Sequence, residues 1–275
     1  MSSPISCALF IGPYRNLTTL CAATLSLHPN CQVLNHAWDK IKNSGAVAFL
    51  SDHKRENFEI FLSAALKYSK GGARGFEGGS ILFSHAYADN PILQKKYHSR
   101  FGNETPKQDI RSIVWKESLI VSRYLQDQNV NMGSFFKTYP EVKLILPIRN
   151  PVDCTLSNIK TGHYKMLAGT PPPDFKSVLK GVLTQLLWAI ELQNRHPEGV
   201  FSFLAYEDTR SVFLRLQSFL SLPLDQDWMK DAAETFKLRP SYAHDEKIKS
   251  DFQEIVTELF SANSEMKEKF LRFIL

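Results

Sequence analysis

The segment Cys7–Leu20, CALFIGPYRNLTTL, holds a strand, a turn and a helix start in immediate succession. Ala8 to Ile11 is a short apolar run and predicts a buried strand. It stops at Gly12-Pro13, a turn signal. Thr18 then opens an apolar, helix-compatible run through Leu27. This layout sets backbone N–H groups and the positive end of a helix dipole against a phosphate. Thr18 and Thr19 add hydroxyl donors, and Arg15 adds a fixed positive charge in the turn itself.

Further strands are predicted at Cys31–Leu34, Ser80–Phe83 (SILF), Ile113–Trp115, Val142–Ile148 (VKLILPI) and Val200–Ala205. Residues 39–70 carry Phe58, Phe61, Leu62, Ala65 and Leu66 at helical spacing. Gly71-Gly72 and Gly78-Gly79 bracket a connection, and 86–110 is polar and pattern-poor, which predicts a surface excursion. After Val142–Ile148, Asn150 is placed to cap a helix, Pro151 suits its first position and Asp153 its first turn. Residues 161–175 read as a loop, and an amphipathic helix follows over about 175–194. From about 208 to 275 the pattern is helical, with a breaker at Pro240.

Strands alternating with helices predict an α/β fold: a three-layer, mostly parallel sheet flanked by helices, in one domain spanning 1–275. Each predicted strand runs into a polar or ionisable residue or a turn glycine, namely Gly12, His36, His85, Lys116, Arg149 and Tyr206. Ligands of open α/β sheets bind outside the carboxyl ends of the strands, so these residues predict a site along one edge.

Composition narrows the function classes. Hydrophobic residues make up 43% and charged residues 22%, as in ordinary globular domains. The net charge of +5 is spread along the chain. It suits a basic cleft for an anionic small molecule, and nucleic-acid binding is not expected. Cys7, Cys21, Cys31 and Cys154 show no metal-ligand spacing and read as free thiols, so no metal site is expected. No apolar run approaches the ~20 residues of a membrane span. No secretory leader is recognisable, so a cytoplasmic location is expected.

The first loop is close to a Walker A motif, with one instructive difference. With Gly12 as the first glycine of G-x-x-x-x-G-K-[ST], Leu17 falls on the second glycine, Thr18 on the lysine and Thr19 on the Ser/Thr. The lysine is gone and a cation stands three residues earlier. The segment resembles G-x-P-[RK]-S-G-T-T, the 5′-phosphosulfate loop of sulfotransferases that use 3′-phosphoadenosine 5′-phosphosulfate (PAPS). Gly12, Arg15, Thr18 and Thr19 match, while Tyr14, Asn16 and Leu17 depart from it. The segment LILPIRNPVDCTLSNIK resembles the family's 3′-phosphate segment, a strand leading into R-[DN]-P-x-[DE] with a serine on the next helix. SIVWKES (Ser112–Ser118) is similar to the family's W-K-E-P segment, and FLAYED (Phe203–Asp208) to its F-x-Y-E-D segment. The likeness covers roughly the first 210 residues as separate motifs.

The resemblance implies an enzyme that moves a sulfuryl group from PAPS to a hydroxyl or amine of a small-molecule or saccharide acceptor, without a metal. It implies that Gly12, Arg15, Asn16, Leu17, Thr18 and Thr19 hold the 5′-phosphate, and that Arg149 and Ser157 hold the 3′-phosphate. Tyr206 would lie against adenine. Arg15 and Lys116 would neutralise the sulfuryl and leaving oxygens. Leu17 stands where the family has a glycine, and Asn16, which tolerates left-handed backbone, is expected to compensate. His36, His85 and Glu117, in that order, are candidates for the general base, since an imidazole titrates near neutrality. His28, His98, His163, His196 and His244 default to the surface. Arg239 or Lys247 are candidates to close over the 3′-phosphate. Trp38, Phe76, Phe83 and Tyr87 are candidates to line the acceptor pocket, with 86–110 and 161–175 as lids. Two other readings remain: a P-loop kinase using ATP and Mg²⁺, and a nucleotide-binding module without chemistry.

Overall fold

The computed structural model describes residues 5–71, 79–103, 107–238 and 244–274. Its centre is a sheet of five parallel strands: β1 (Ser6–Phe10), β2 (Cys31–Asn35), β3 (Ser112–Lys116), β4 (Val142–Ile148) and β5 (Val200–Leu204). Their order across the sheet is β2-β3-β1-β4-β5. Strands buried on both faces need apolar residues at nearly every position, and VKLILPI and CALF supply them. Alternation sends Cys7, Leu9 and Ile11 into one core and Ala8 and Phe10 into the other.

Helices cover both faces. Between β1 and β2 lies α1 (Thr18–Leu25). Between β2 and β3 lie α2 (Trp38–Asn43), α3 (Arg55–Ser69), α4 (His85–Ala88) and α5 (Pro91–Phe101). Next come α6 (Leu119–Asp127) and α7 (Met132–Thr138) before β4, then α8 (Pro151–Thr161) and α9 (Phe175–Arg195) before β5. The chain continues through α10 (Thr209–Phe219), α11 (Gln226–Thr235), α12 (Glu246–Leu259) and α13 (Ser264–Leu271). One core takes α3, α6, α7, α8, α9 and α12, and the other takes α1, α5, α10 and α11. β1 therefore sends its helix to one face while β3 and β4 send theirs to the other. That divergence opens a crevice at the β1 carboxyl end.

The structure corrects three sequence expectations about elements. Ser80–Phe83 is not a strand: Ser80 makes a single antiparallel bridge with Leu34, and Ile81–Phe83 winds into a 3₁₀ turn. The Ser80 hydroxyl accepts the Leu82 N–H, and the Ser84 hydroxyl accepts that of Tyr87, so two caps coil the backbone. Residues 86–110 hold α5, started by Asn90, whose side chain accepts the Leu93 N–H, with Pro91 in the first turn. Residues 39–70 break into α2, a 3₁₀ turn at Ala46–Leu50 and α3, with Gly45 at φ +76° between the first two. Gly72, Gly78 and Pro240 lie outside the described residues. All four cysteines are free and buried.

His28 is buried rather than on the surface. Its Nδ1 accepts the Asn30 N–H at 3.1 Å, and its Nε2 lies 3.1 Å from the Pro223 carbonyl, so the ring is neutral and donates there. Burial pushes its pKa down to about 4. An unfolded imidazole protonates near 6.5, so between those values the unfolded chain binds the extra proton. This site's contribution is therefore full above pH ~6.5 and falls by about 3 kcal/mol as the pH drops toward 4. Denaturant titrations at pH 7 and 4.5 should show a smaller loss in His28→Gln than in the wild type. Equal losses would remove His28 as the cause.

Candidate functional site

A cavity of about 1300 Å³ opens over the carboxyl ends of the strands. Because the strands are parallel, the residues that leave them meet along one edge. Arg15, His36, Lys116, Arg149 and Tyr206, from after or at the ends of all five strands, line this cavity, and His85 joins them from α4. Asn16, Leu17, Thr18, Thr19 and Ser157 line it too, whereas Gly12 lies buried beneath. Among the described residues, seven lysines and arginines face the cavity against four aspartates and glutamates, which makes it suited to an anion.

The loop between β1 and α1 is held from below and behind. Gly12 sits at φ +94°, where a Cβ would come 2.6 Å from Leu146 Cδ1, so only glycine fits. Its N–H donates to Ser122 Oγ at 2.8 Å. The Asn16 side chain is fully buried; its amide donates to the Pro147 carbonyl and its oxygen accepts the Arg149 N–H at 2.8 Å. Asn16 thus clamps the loop to the end of β4, and what it can offer a phosphate is its backbone N–H. The expected compensation by Asn16 is not what occurs: Leu17 itself takes the left-handed conformation (φ 62°, ψ 0°), as does Arg15 (φ 63°). His36 and Ala37 do the same after β2, so strained backbone gathers around the cavity. Leu17 caps α1 without a side-chain bond, and the N–H groups of the first turn have no intrahelical acceptor.

Two predicted segments meet directly. Arg15 Nε donates to Ser157 Oγ at 2.8 Å, which leaves the serine O–H proton available as a donor. Arg149 leaves β4 with a guanidinium nitrogen 3.5 Å from Asp153 Oδ2. His244, expected on the surface, is nearly buried, with Nε2 3.2 Å from the other Asp153 oxygen. Tyr206 is an exposed ring at the end of β5 whose hydroxyl donates to the Lys269 carbonyl at 3.2 Å; it tilts against Phe273 at 5.0 Å. Arg239 lies outside the described residues, and Lys247 is exposed on α12 away from the cavity. Among the described residues, the cations that reach the cavity from the C-terminal region are Lys237 and Arg272. Neither sits in a motif, and tertiary packing alone brings them there. Lys160, one turn beyond Ser157 on α8, was legible in principle by its i+3 spacing.

On the other side of the β1 loop, four groups are wired together. The Tyr14 hydroxyl donates to Glu117 Oε1 at 2.9 Å. His36 Nδ1 stands 3.4 Å from Glu117 Oε2, and Lys116 Nζ lies 3.0 Å from His36 Nε2. Lys116 and Glu117 are both nearly buried. Burial alone would raise the Glu117 pKa, but the His36 and Tyr14 hydrogen bonds and the Lys116 charge outweigh it and hold the carboxyl below its usual value. Glu117 is therefore an ionised acceptor with both oxygens engaged. His85 differs: among the described residues its ring makes no hydrogen bond, and it faces the cavity. Loss of hydration, then the charges of Arg15 and Lys116, lowers its pKa, so it is neutral at pH 7.

Trp38 lines the cavity and stacks on Trp115 at 5.7 Å. Phe83 does not line it and is 60% exposed, because the 3₁₀ turn rotates it outward. Tyr87 packs edge-on against Tyr97 instead, and Phe76 lies outside the described residues. Of the two expected lids, 86–110 contributes Ala86, Asp89 and Asn90, and 161–175 contributes His163 and Met166. His163, expected on the surface, meets the Tyr14 ring edge-on at 5.2 Å.

No family model and no curated protein matches the sequence. Solved structures do. The chain is similar to sulfotransferase STF9 from Mycobacterium avium, at 14% identity and a TM-score of 0.49, over 96% of this chain and 77% of that one. It is similar to mouse sulfotransferase SULT7A1 complexed with PAP, at 12% identity and a TM-score of 0.46, over 98% and 88%. A sulfotransferase from Alicyclobacillus acidocaldarius matches at 13% identity and a TM-score of 0.43, over 95% and 96%. The likeness is to sulfotransferases. Among the described residues no group of three or more His, Cys, Asp or Glu is placed to hold a metal ion. No helix there is long and apolar enough to cross a membrane.

Proposed function

We propose that this chain is a PAPS-dependent sulfotransferase acting on a hydroxyl or amine of a small-molecule or saccharide acceptor. The observation that carries the reading is the 2.8 Å bond between Arg15 and Ser157, which joins the two sequence segments that separately resemble nucleotide-binding motifs. PAPS supplies an activated sulfuryl group. The first-turn N–H groups of α1 and the hydroxyls of Thr18 and Thr19 hold the 5′-phosphate. Arg149 and the Ser157 hydroxyl hold the 3′-phosphate, and Tyr206 offers its exposed ring to the base. Arg15 and Lys116 stabilise the charge that develops on the sulfuryl and leaving oxygens. Among the three base candidates His85 fits best, because it is neutral and its ring nitrogens are unengaged among the described residues, whereas Glu117 and His36 are bonded on both sides.

Thermal melting with 3′-phosphoadenosine 5′-phosphate (PAP), against 5′-AMP and ATP·Mg²⁺, tests this. A ligand at ~100 times its Kd stabilises by about 2.7 kcal/mol, a shift of several degrees. A shift with PAP that 5′-AMP does not reproduce is expected. A shift with ATP·Mg²⁺ and none with PAP would replace the reading with the P-loop kinase.

A further inference from the structure

The Tyr14–Glu117–His36–Lys116 chain has a direction that the hydrogen-bond inventory fixes. A phenol hydroxyl donates to Glu117 Oε1, and an ionised carboxylate only accepts, so Glu117 Oε2 must take its proton from His36 Nδ1. With the Nδ1 proton fixed there, Nε2 of a neutral ring is a lone pair, and the group 3.0 Å from it is the Lys116 ammonium, which has only protons to give. The backbone reinforces the placement. The His36 N–H donates to the Lys116 carbonyl at 3.1 Å, and Trp115 Nε1 donates to the His36 carbonyl at 2.6 Å. These bonds hold His36 in a left-handed conformation (φ 60°), which is uncommon outside glycine but which histidine reaches more readily than most residues.

We propose that Tyr14, Glu117 and His36 form a buried positioning relay for Lys116, so that His36 orients the cation and is not the general base. The proposal rests on the sulfotransferase reading, in which Lys116 acts on the sulfuryl group. A histidine whose Nε2 already accepts a bond from Lys116 cannot also take an acceptor proton. An ammonium has three N–H donors, and His36 takes one of them, which fixes the direction of the others. Tyr14 occupies the position where the resembled loop has proline, so this chain carries a phenol donor to the relay within its phosphate loop. That links the loop's conformation to the placement of Lys116.

The test uses the full ¹⁵N-labelled chain. Long-range ¹H–¹⁵N spectra of the histidine rings at pH 7 report the tautomer directly, with the His36 signals assigned from His36→Gln. The wild type is expected to show His36 as the Nδ1–H tautomer, and Glu117→Gln to lose that pattern. Tyr14→Phe, a conservative change within the loop, keeps the tautomer if Glu117 still accepts from His36. In parallel, release of PAP from PAPS with water as acceptor should slow about tenfold in Glu117→Gln, with the KM for PAPS within twofold. An Nε2–H His36 in the wild type, or a Glu117→Gln chain with unaltered spectrum and turnover, would overturn the relay. Loss of PAP binding in the wild type alongside an Nδ1–H His36 would instead defeat the sulfotransferase reading while the hydrogen-bond chain stands.

Discussion

Arg15→Ala is expected to slow sulfuryl transfer by roughly 10²–10³-fold, the usual cost of removing one donor from developing transition-state charge. Three features of the site make this the largest expected effect on turnover. Arg15 projects from a loop clamped on both sides, by Gly12 on Ser122 and by Asn16 on β4, so its position is set before ligand arrives. Its Nε is held by Ser157, while its terminal nitrogens make no hydrogen bond among the described residues. It sits within the electrostatic reach of His85, which its charge helps keep neutral. Alanine has the same backbone cost as arginine at φ 63°, so the fold should be unaffected. Arg15→Lys restores the charge but not the fork, and should recover only part of the rate. Single-turnover PAP release from PAPS measures the effect. A rate within threefold of wild type in Arg15→Ala would remove the charge-stabilising role.

The largest effect on binding is expected from Arg149→Ala. Truncating one partner of a charge-assisted pair costs 2–5 kcal/mol in general. The Kd for PAP should rise by roughly 30- to 5000-fold, while that for 5′-AMP, which lacks the 3′-phosphate, should change little. Alanine keeps the Arg149 N–H that bonds Asn16, so the clamp on the β1–α1 loop survives the substitution. Isothermal titration with both nucleotides separates the two roles. An equal loss for PAP and 5′-AMP would mean that Arg149 acts by supporting the loop and not by meeting the 3′-phosphate.

What the sequence made legible follows the range of the interactions involved. β4 is predicted as Val142–Ile148 and observed as Val142–Ile148, and the Asn150 cap is in place, its side chain accepting the Val152 N–H. Both depend on neighbours within a few residues. SILF has the apolar run of a strand, but the Ser80 and Ser84 hydroxyls wind the backbone instead of extending it. Asn90-Pro91 carried the same cap-and-proline signal as Asn150-Pro151 but was obscured because α5 buries only Leu93 and Tyr97. Within the site, residue positions were legible and their allegiances were not. Asn16 and Glu117 face the right place, yet which atoms bind them is decided by partners more than a hundred residues away. Lys237 and Arg272 carry no local mark at all.

The central place of β1 bears on how the molecule is made. Ser6 pairs with Ser112 and Cys7 with Val142, so β1 emerges from the ribosome before both of its sheet partners and has both flanks open until they follow. The clamp that sets the β1–α1 loop joins residues 133 apart in sequence. Long-range parallel pairing of this kind forms late and leaves apolar strand exposed in the meantime. During synthesis, therefore, CALFI is a segment for chaperones to shield, and the loop that follows it acquires its shape only after β4 has emerged.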